Sequence, residues 1–233
     1  MQRNFRIFLA AVLTAVLAAL TLTGCGGSKT PGVETIKRPA VRSDEMQFKG
    51  PGSGDTVAVI ETSAGTIRVQ LYPDKAPQTV ENFVQLAKDG FYNDTTFSRL
   101  EHGFCVEAGL NAEGVTTTIW NGAGFAPELT DDLHHYSGAL CAPVDASGLC
   151  SGVFYFMQTL PDSVTEEMAA QMKEAGYSDA VIEAYTKAGG APYLDYTDTV
   201  FGQVYEGMDV VDTIAQSASF EEPVRILKVS VSG

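Results

Sequence analysis

Basic side chains are scarce in this chain of 233 residues, in which 15 lysines and arginines stand against 29 aspartates and glutamates. The formal net charge is −14. Binding to a phosphate backbone requires clustered positive charge, so this balance excludes a nucleic-acid binder. Hydrophobic residues make up 45% of the chain and charged residues 19%, which excludes a disordered chain and allows a folded core.

Cysteine and histidine are also scarce. The four cysteines are unevenly spaced and form no Cys-x-x-Cys pair, which excludes a disulfide scaffold and predicts no metal site. The three histidines, His102, His134 and His135, have no ligand partners at metal-binding spacing. We predict that they are loop residues.

The N-terminus has the features of an export signal. Arg3 and Arg6 precede an apolar run over 7–22, which is shorter than the roughly 20 residues of a membrane-spanning helix. The next residues, Leu22-Thr23-Gly24-Cys25, resemble the lipobox of bacterial lipoproteins. The resemblance implies that residues 1–24 are a signal peptide and that Cys25 carries palmitate or a similar acyl chain. We therefore expect an extracytoplasmic protein that is anchored to the cell membrane by this lipid.

Residues 25–55 are rich in glycine, proline and serine and show no sustained hydrophobic periodicity. Such a segment buries too little apolar surface to offset the entropy of ordering. We predict a flexible tether over 25–55, followed by one folded domain over 56–233.

Short β-rich runs dominate the folded part. The runs 57–62 and 66–71 are joined by Ser63-Ala64-Gly65, which predicts a β-hairpin. Pro77 can begin an amphipathic helix that Gly90 can end. Later residues predict a strand over 199–204, a short helix over 208–215 and a closing strand over 224–231. Many antiparallel strands with two helices favour a closed β-barrel capped by helices.

Three separated motifs stand in this domain. The first runs from Leu71 to Phe83, the second comprises Phe97-Ser98-Arg99-Leu100, Gly103-Phe104 and Ala108-Gly109, and the third comprises residues 200–204 and 206–211. Together they resemble the signatures of the cyclophilin-type peptidyl-prolyl cis-trans isomerases, over about residues 57–231. The resemblance implies a mostly β fold, a closed eight-stranded antiparallel barrel capped by two helices.

The activity of that family has a simple chemical requirement. Rotation about an Xaa-Pro bond breaks amide resonance against a barrier of about 20 kcal/mol. An apolar pocket can bind the proline ring while a guanidinium donates a hydrogen bond to the nitrogen of the twisted amide, without any cofactor. The resemblance assigns this catalytic role to Arg99. It assigns the pocket to Phe104, Cys105, Tyr155 and Leu194.

Several positions depart from the family pattern. Glu107 replaces a glutamine and can draw Arg99 into an ion pair, and Val144 and Val153 replace polar residues that bind the peptide. Tyr193 stands for a tryptophan and Asp198 for a histidine. The predicted substrate-binding set is therefore Phe104, Cys105, Glu107, Val153, Tyr155, Tyr193, Leu194 and Asp198.

Two functions follow from this combination. One is a monomeric isomerase that acts on Xaa-Pro bonds of extracytoplasmic proteins and assists their folding. The alternative is a catalytically weak or inactive cyclophilin-like module that binds proline-containing segments or an envelope partner. Arg99 and Phe104 favour the first function, and the altered polar positions favour the second.

An acidic insert over about 161–191 interrupts the family pattern. Ser163-Val164-Thr165-Glu166 fits a capping box, apolar residues recur at four-residue spacing after it, and Ser178 can cap a second helix. We predict a helical hairpin. It is either an ornament packed on the barrel or an arm that narrows the choice of substrate.

Cys141 and Cys150 flank a segment that the resemblance places in the peptide groove. One expectation is a disulfide between them with Cys105 left free, and the other is buried thiols.

Overall fold

The computed structural model describes residues 32–233, of which residues 33–233 form one compact unit. The predicted signal peptide and Cys25 lie outside the described residues. Among residues 32–233, no helix combines the length and the hydropathy that a bilayer crossing requires.

Nine strands and four α-helices make up the described part of the chain. The strands are β1 (Val57–Thr62), β2 (Gly65–Leu71), β3 (Thr95–Thr96), β4 (Arg99–Glu101), β5 (Cys105–Ala108), β6 (Ala139–Ala142), β7 (Phe154–Met157), β8 (Thr199–Glu206) and β9 (Arg225–Ser232). The helices are α1 (Pro77–Lys88), α2 (Glu166–Glu174), α3 (Asp179–Ala188) and α4 (Met208–Ala215). The predicted hairpin, helices and closing strand are therefore confirmed.

All nine strands belong to one antiparallel sheet, in the order β3-β9-β1-β2-β8-β6-β7-β5-β4. The expectation of eight strands in a closed ladder is wrong in this detail. The two edge strands, β3 and β4, are separated only by Phe97 and Ser98. The sheet is therefore curled. Its two edge strands are connected by these two residues of the chain and not by hydrogen bonds between the strands.

Strands β5, β6 and β7 bury side chains on both faces of the sheet. The main core, on one face, contains Val106, Leu140, Phe154 and Phe156, together with residues from α1 and α4 such as Phe83 and Ile214. A second cluster, on the other face, contains Cys105, Ala139, Cys141, Tyr155 and Met157. Side chains on a strand alternate between faces, so these two sets alternate along β5, β6 and β7. The second cluster is the face on which the predicted site residues lie.

A distant carboxylate caps the first helix. Ala76 precedes α1 and has no side chain to cap it. Glu128 accepts hydrogen bonds from the backbone nitrogens of Gln78 and Thr79, at 3.0 and 2.8 Å. A negative charge at this position satisfies free N–H groups and complements the helix dipole. The loop around Glu128 is thereby fixed to the start of α1.

The segment expected to be a flexible tether is ordered over residues 33–48, which we call the N-terminal arm. Arg38 lies across the domain and contacts Asp212, with Nε–Oδ2 and Nη2–Oδ1 distances of 3.0 and 2.5 Å. Gln47 is buried between the backbone of His134 and the side chain of Gln203. These polar contacts, which composition alone does not predict, offset the entropy cost of ordering residues 33–48. The flexible tether over 25–55 as a whole stays a prediction.

The insert forms the predicted helical hairpin, α2 and α3. Ser178 caps α3 as predicted, but Thr165, not Ser163, caps α2 by accepting a hydrogen bond from the backbone nitrogen of Met168. The Ser163 hydroxyl instead accepts from the backbone nitrogen of Gly190, at 3.2 Å. A third cluster, comprising Tyr136, Val164, Met172, Val181, Ala184 and Tyr185, packs the hairpin against the loop at Tyr136.

Candidate functional site

Arg99 is the first residue of β4, and Phe104 is the last residue of the turn between β4 and β5. The guanidinium carbon of Arg99 lies 5.4 Å from the centroid of the Phe104 ring. A cation over an aromatic face is attracted by the ring quadrupole. This contact places a permanent positive charge at the edge of the second cluster.

Glu101 holds the Arg99 side chain from the same strand. Arg99 Nε donates a 2.9 Å hydrogen bond to Glu101 Oε1, and Nη2 lies 2.9 Å from the same oxygen. Residues two apart on a strand share a face, so the pairing follows from the position of Glu101. The hydrogen bond to Glu101 raises the pKa of Arg99. Among the residues that the structure describes, no acceptor takes the Nη1 donors.

The expected ion pair between Arg99 and Glu107 is not formed. Glu107 lies opposite Arg99 across the β4–β5 ladder, but its Oε1 atom contacts the Ser98 hydroxyl at 3.4 Å. Glu101 was not among the residues predicted from the sequence. Its spacing of two from Arg99 on a strand is the signal that could have found it.

Four of the predicted pocket residues meet in the second cluster. Cys105 and Tyr155 are buried members of this cluster, and Phe104 and Leu194 are partly buried and pack against it. Burial raises the pKa of the Cys105 thiol to about 11, so this thiol is neutral and acts as an apolar group. The structure thus brings Phe104, Cys105, Tyr155 and Leu194 together as the resemblance implies.

Asp198 is engaged within the protein. Its Oδ2 accepts a 2.8 Å hydrogen bond from the Tyr155 hydroxyl, and its Oδ1 accepts one of 3.3 Å from the backbone nitrogen of Val144. Burial and the nearby Asp198 charge raise the pKa of Tyr155. Asp198 therefore fixes the loop at Val144 to the pocket floor.

Two of the predicted residues lie at the margin. Tyr193 is 65% exposed, and Val153 is half-buried and belongs to neither the main core nor the second cluster. The backbone nitrogen of Val153 donates to the Ser151 hydroxyl at 3.3 Å. Tyr193 can contact a long peptide, whereas Val153 supplies only an aliphatic surface.

The disulfide expected between Cys141 and Cys150 is not formed, and Cys105, Cys141 and Cys150 are all buried free thiols. Cys141 belongs to the second cluster and Cys150 to the main core, on opposite faces of the sheet. The Cys150 sulfur lies 3.7 Å from the Thr199 hydroxyl and 3.9 Å from the Ala142 carbonyl oxygen. Cys150 lies outside β6, at an isolated bridge with Phe125, and its side chain faces the main core, so the two sulfurs lie on different sides of the sheet.

A buried polar cluster, not predicted from the sequence, lies beside the pocket. His134 Nδ1 and His135 Nδ1 contact the Asp195 carboxylate at 2.9 and 2.8 Å, and the hydroxyls of Tyr177 and Tyr185 donate to it. Both histidines are loop residues, as predicted, but they are buried. Burial raises the pKa of Asp195, but the hydrogen bonds and charges of the two histidines together lower it by a larger amount. The net pKa therefore lies below its ordinary value.

The fold and this site define a class of protein that the comparisons also identify. The family model for cyclophilin type peptidyl-prolyl cis-trans isomerase/CLD matches residues 57–231, and the chain belongs to this family. Two similar proteins bear the name "Putative peptidyl-prolyl cis-trans isomerase". The one from Staphylococcus saprophyticus is 36% identical over 68% of this chain and 80% of its own length. The one from Staphylococcus aureus strain USA300 is 32% identical over 70% of this chain and 83% of its own length.

Solved structures show the same fold at lower identity. A cyclophilin type peptidyl-prolyl cis-trans isomerase from Cryptosporidium parvum superposes with a TM-score of 0.58 at 17% identity, covering 77% of this chain and 98% of its own. A second structure of that protein, determined in the presence of the dipeptide Ala-Pro, gives a TM-score of 0.57 at 18% identity, over 76% and 99% of the two chains. The chain is accordingly a peptidyl-prolyl cis-trans isomerase of the cyclophilin type, with a mostly β fold.

Proposed function

We propose that Arg99 is the catalytic residue of this isomerase and that it acts on Xaa-Pro bonds of proteins outside the cytoplasm. The observation that carries the proposal is the position of its guanidinium, over the Phe104 ring at the edge of the second cluster. The proline ring binds against Phe104, Tyr155 and Leu194. In that position the amide nitrogen of the Xaa-Pro bond comes within reach of the free Nη1 donors.

The chemistry needs only binding and one directed donor. As the amide twists, its nitrogen becomes pyramidal and gains a lone pair that accepts a hydrogen bond. A permanently charged donor that is already oriented stabilises this state more than the planar one, and the apolar surroundings strengthen the interaction. No bond to the substrate forms or breaks, so no nucleophile is required.

Two features favour the second candidate, a weakly catalytic module that binds proline-containing segments. Val153 offers no polar group to the peptide, and the Val144 backbone nitrogen donates to Asp198 instead of facing solvent. Neither Val153 nor the Val144 nitrogen therefore offers a hydrogen bond to a bound peptide, although Arg99 does.

We expect Glu101→Gln to lower kcat/KM modestly, because it removes the charge that orients Arg99 while keeping the size of the side chain. The pair is half exposed, and exposed pairs contribute at most about 1 kcal/mol, so the expected loss is about fivefold or less. Steady-state isomerisation of Xaa-Pro peptides measures it. A rise in kcat/KM would instead mean that Glu101 withholds Arg99 from the substrate.

We also propose that the protein is held at the outer surface of the cell membrane through a lipidated Cys25. The sequence before this residue supports the proposal, since it combines a basic start, an apolar run and Leu22-Thr23-Gly24. The chain from Cys25 to Val33, where the compact unit begins, can span at most about 30 Å. The domain would then act close to the membrane, on segments of proteins that are folding there.

The anchoring proposal predicts that Cys25→Ser releases the protein from the membrane. In cells supplied with labelled palmitate, the native protein should carry label and sediment with membranes. The Cys25→Ser variant should carry no label, and any protein released by cleavage of the leader should be soluble. The variant Cys105→Ser controls for general effects of cysteine loss and should keep both label and membrane location. Equal labelling of the native protein and Cys25→Ser would refute the proposal.

A further inference from the structure

The carboxylate of Asp195 connects the insert to the wall of the proline pocket. Its side chain is 3% exposed and accepts hydrogen bonds from both neighbouring histidines, including the backbone nitrogen of His135 at 3.0 Å. The hydroxyl of Tyr185 lies 2.9 Å from both carboxylate oxygens, and that of Tyr177 lies 3.1 Å from Oδ2. A buried charge with this many donors is held in one position, because any movement leaves polar groups unpaired.

Asp195 directly follows the short 3-10 turn Pro192–Leu194, and its backbone nitrogen closes that turn on the Pro192 carbonyl oxygen at 3.2 Å. The single proton of the Tyr177 hydroxyl is shared between this carbonyl oxygen, at 3.2 Å, and Asp195 Oδ2, at 3.1 Å. Tyr177 thus contacts both ends of the turn. Between these ends lie Tyr193 and Leu194, the exposed rim and the packed wall of the pocket.

The two tyrosines belong to the insert, and the packing of their rings does not require a hydroxyl group on either one. Tyr177 lies in the connection between α2 and α3, and Tyr185 lies on α3. The Tyr185 ring packs against the Tyr136 ring at an interplanar angle of 52°, with centroids 4.4 Å apart, which restricts the direction of its hydroxyl. Both hydroxyls point away from the hairpin to the residue that ends the pocket turn.

We propose that the insert determines substrate affinity by bracing the pocket wall, with Tyr177 and Tyr185 as positioning residues that act through Asp195. The proposal rests on the proposed site at Arg99 and Phe104 and identifies what fixes its far side. Neither tyrosine lies on β4, the strand that carries Arg99, or on the neighbouring strand β5. The brace therefore changes how well the proline-containing peptide is bound and leaves the donor that acts on the twisted amide unchanged.

The test is Tyr177→Phe, which removes one hydroxyl and keeps the ring. We expect KM for an Ala-Pro-containing peptide to rise about fivefold, the size expected when one typical hydrogen bond is lost, with kcat unchanged within twofold. The peptide dissociation constant, measured by calorimetry, should rise by the same factor. The matched control is Tyr196→Phe, whose hydroxyl donates to the exposed Asp131 at 2.8 Å and contacts neither end of the turn. It should leave both constants unchanged.

Two results would overturn the inference while leaving the proposed catalytic site intact. One is an unchanged KM and dissociation constant in Tyr177→Phe. The other is equal changes in Tyr177→Phe and Tyr196→Phe, which would mean that the loss of any nearby hydroxyl is enough. A native protein that neither binds nor isomerises the peptide would reject the proposed site itself, and the brace with it. Calorimetric binding also tests the brace in a protein that binds the peptide but isomerises it slowly.

Discussion

Replacing Arg99 by alanine is expected to lower kcat/KM for Xaa-Pro peptides by about 10²- to 10³-fold, the loss found when a single preorganised donor is removed from a transition state. The guanidinium supplies the only charge placed over the Phe104 ring among the described residues. The fall should be mainly in kcat, because the planar ground state gains little from this donor. A coupled peptide isomerisation assay at low temperature measures it.

The matched control is Arg225→Ala, another half-exposed arginine, which lies 3.9 Å from Asp94 and away from the second cluster. It should retain native activity. If Arg99→Ala retained native activity too, the proposed mechanism would be rejected. A folded native protein that binds proline-containing peptides without accelerating their isomerisation would support the binding module instead.

Replacing Arg38 by alanine is expected to reduce the free energy of unfolding by about 3–5 kcal/mol, the cost of removing one partner from a buried ion pair. The Asp212 side chain is 6% exposed and that of Arg38 is 18% exposed. Arg38 also donates to the Ser137 hydroxyl and the Thr159 carbonyl oxygen, at 2.7 and 2.9 Å. The substitution therefore leaves a buried carboxylate without its counter-charge. Denaturant unfolding of the domain from residue 33 onwards measures the loss.

Arg68→Ala is the control for this effect, because Arg68 and Glu206 form a pair with side chains 40% and 68% exposed. Exposed pairs contribute about 0–1 kcal/mol, so the control should lose less than about 1 kcal/mol. Equal losses in the two variants would mean that the Arg38 pair is screened by solvent as fully as a surface pair.

The arm also connects, through Gln158, to the turn between β4 and β5, beside the proposed catalytic residue. Gln158 donates from Nε2 to Asp212 Oδ1 at 2.8 Å, while its Oε1 accepts from the backbone nitrogen of Gly103 at 2.7 Å. The Gln158 backbone nitrogen donates to the Phe104 carbonyl oxygen at 2.7 Å. A single residue, Gln158, thus connects the ion pair made by the arm to the backbone of Gly103 and Phe104.

Local features were predictable because they depend on neighbouring residues. Gly65 has a φ of 141° at the end of the first hairpin turn, Pro77 begins α1, and Ser178 caps α3. The grouping of Phe104, Cys105, Tyr155 and Leu194 was also predictable, though only through family resemblance. Hydrophobic periodicity and helix capping depend on a few neighbouring residues. The family motifs, in contrast, predict which residues that are distant in sequence lie together in the fold.

The arm and the Asp195 cluster were not predictable because their partners are far apart in sequence. Arg38 and Asp212 are 174 residues apart, and Asp195 lies 60 and 61 residues from the two histidines. Considered alone, each of these residues is of a type that is common in loops and on protein surfaces. Only the folded chain shows that they are buried with partners, and tertiary contacts of this kind override local propensity.

The order of strands in the sheet also has a consequence for folding kinetics. β1, the first strand of the domain, lies between β2 and β9, the last strand, and pairs with both along its whole length. Bringing such distant parts of a chain together costs loop-closure entropy before their contacts can form. We therefore expect the domain to fold slowly for its size. Until the final residues are available, one edge of β1 stays open to other chains. An isomerase with this topology is itself exposed to aggregation until β9 has been synthesised and has paired with β1.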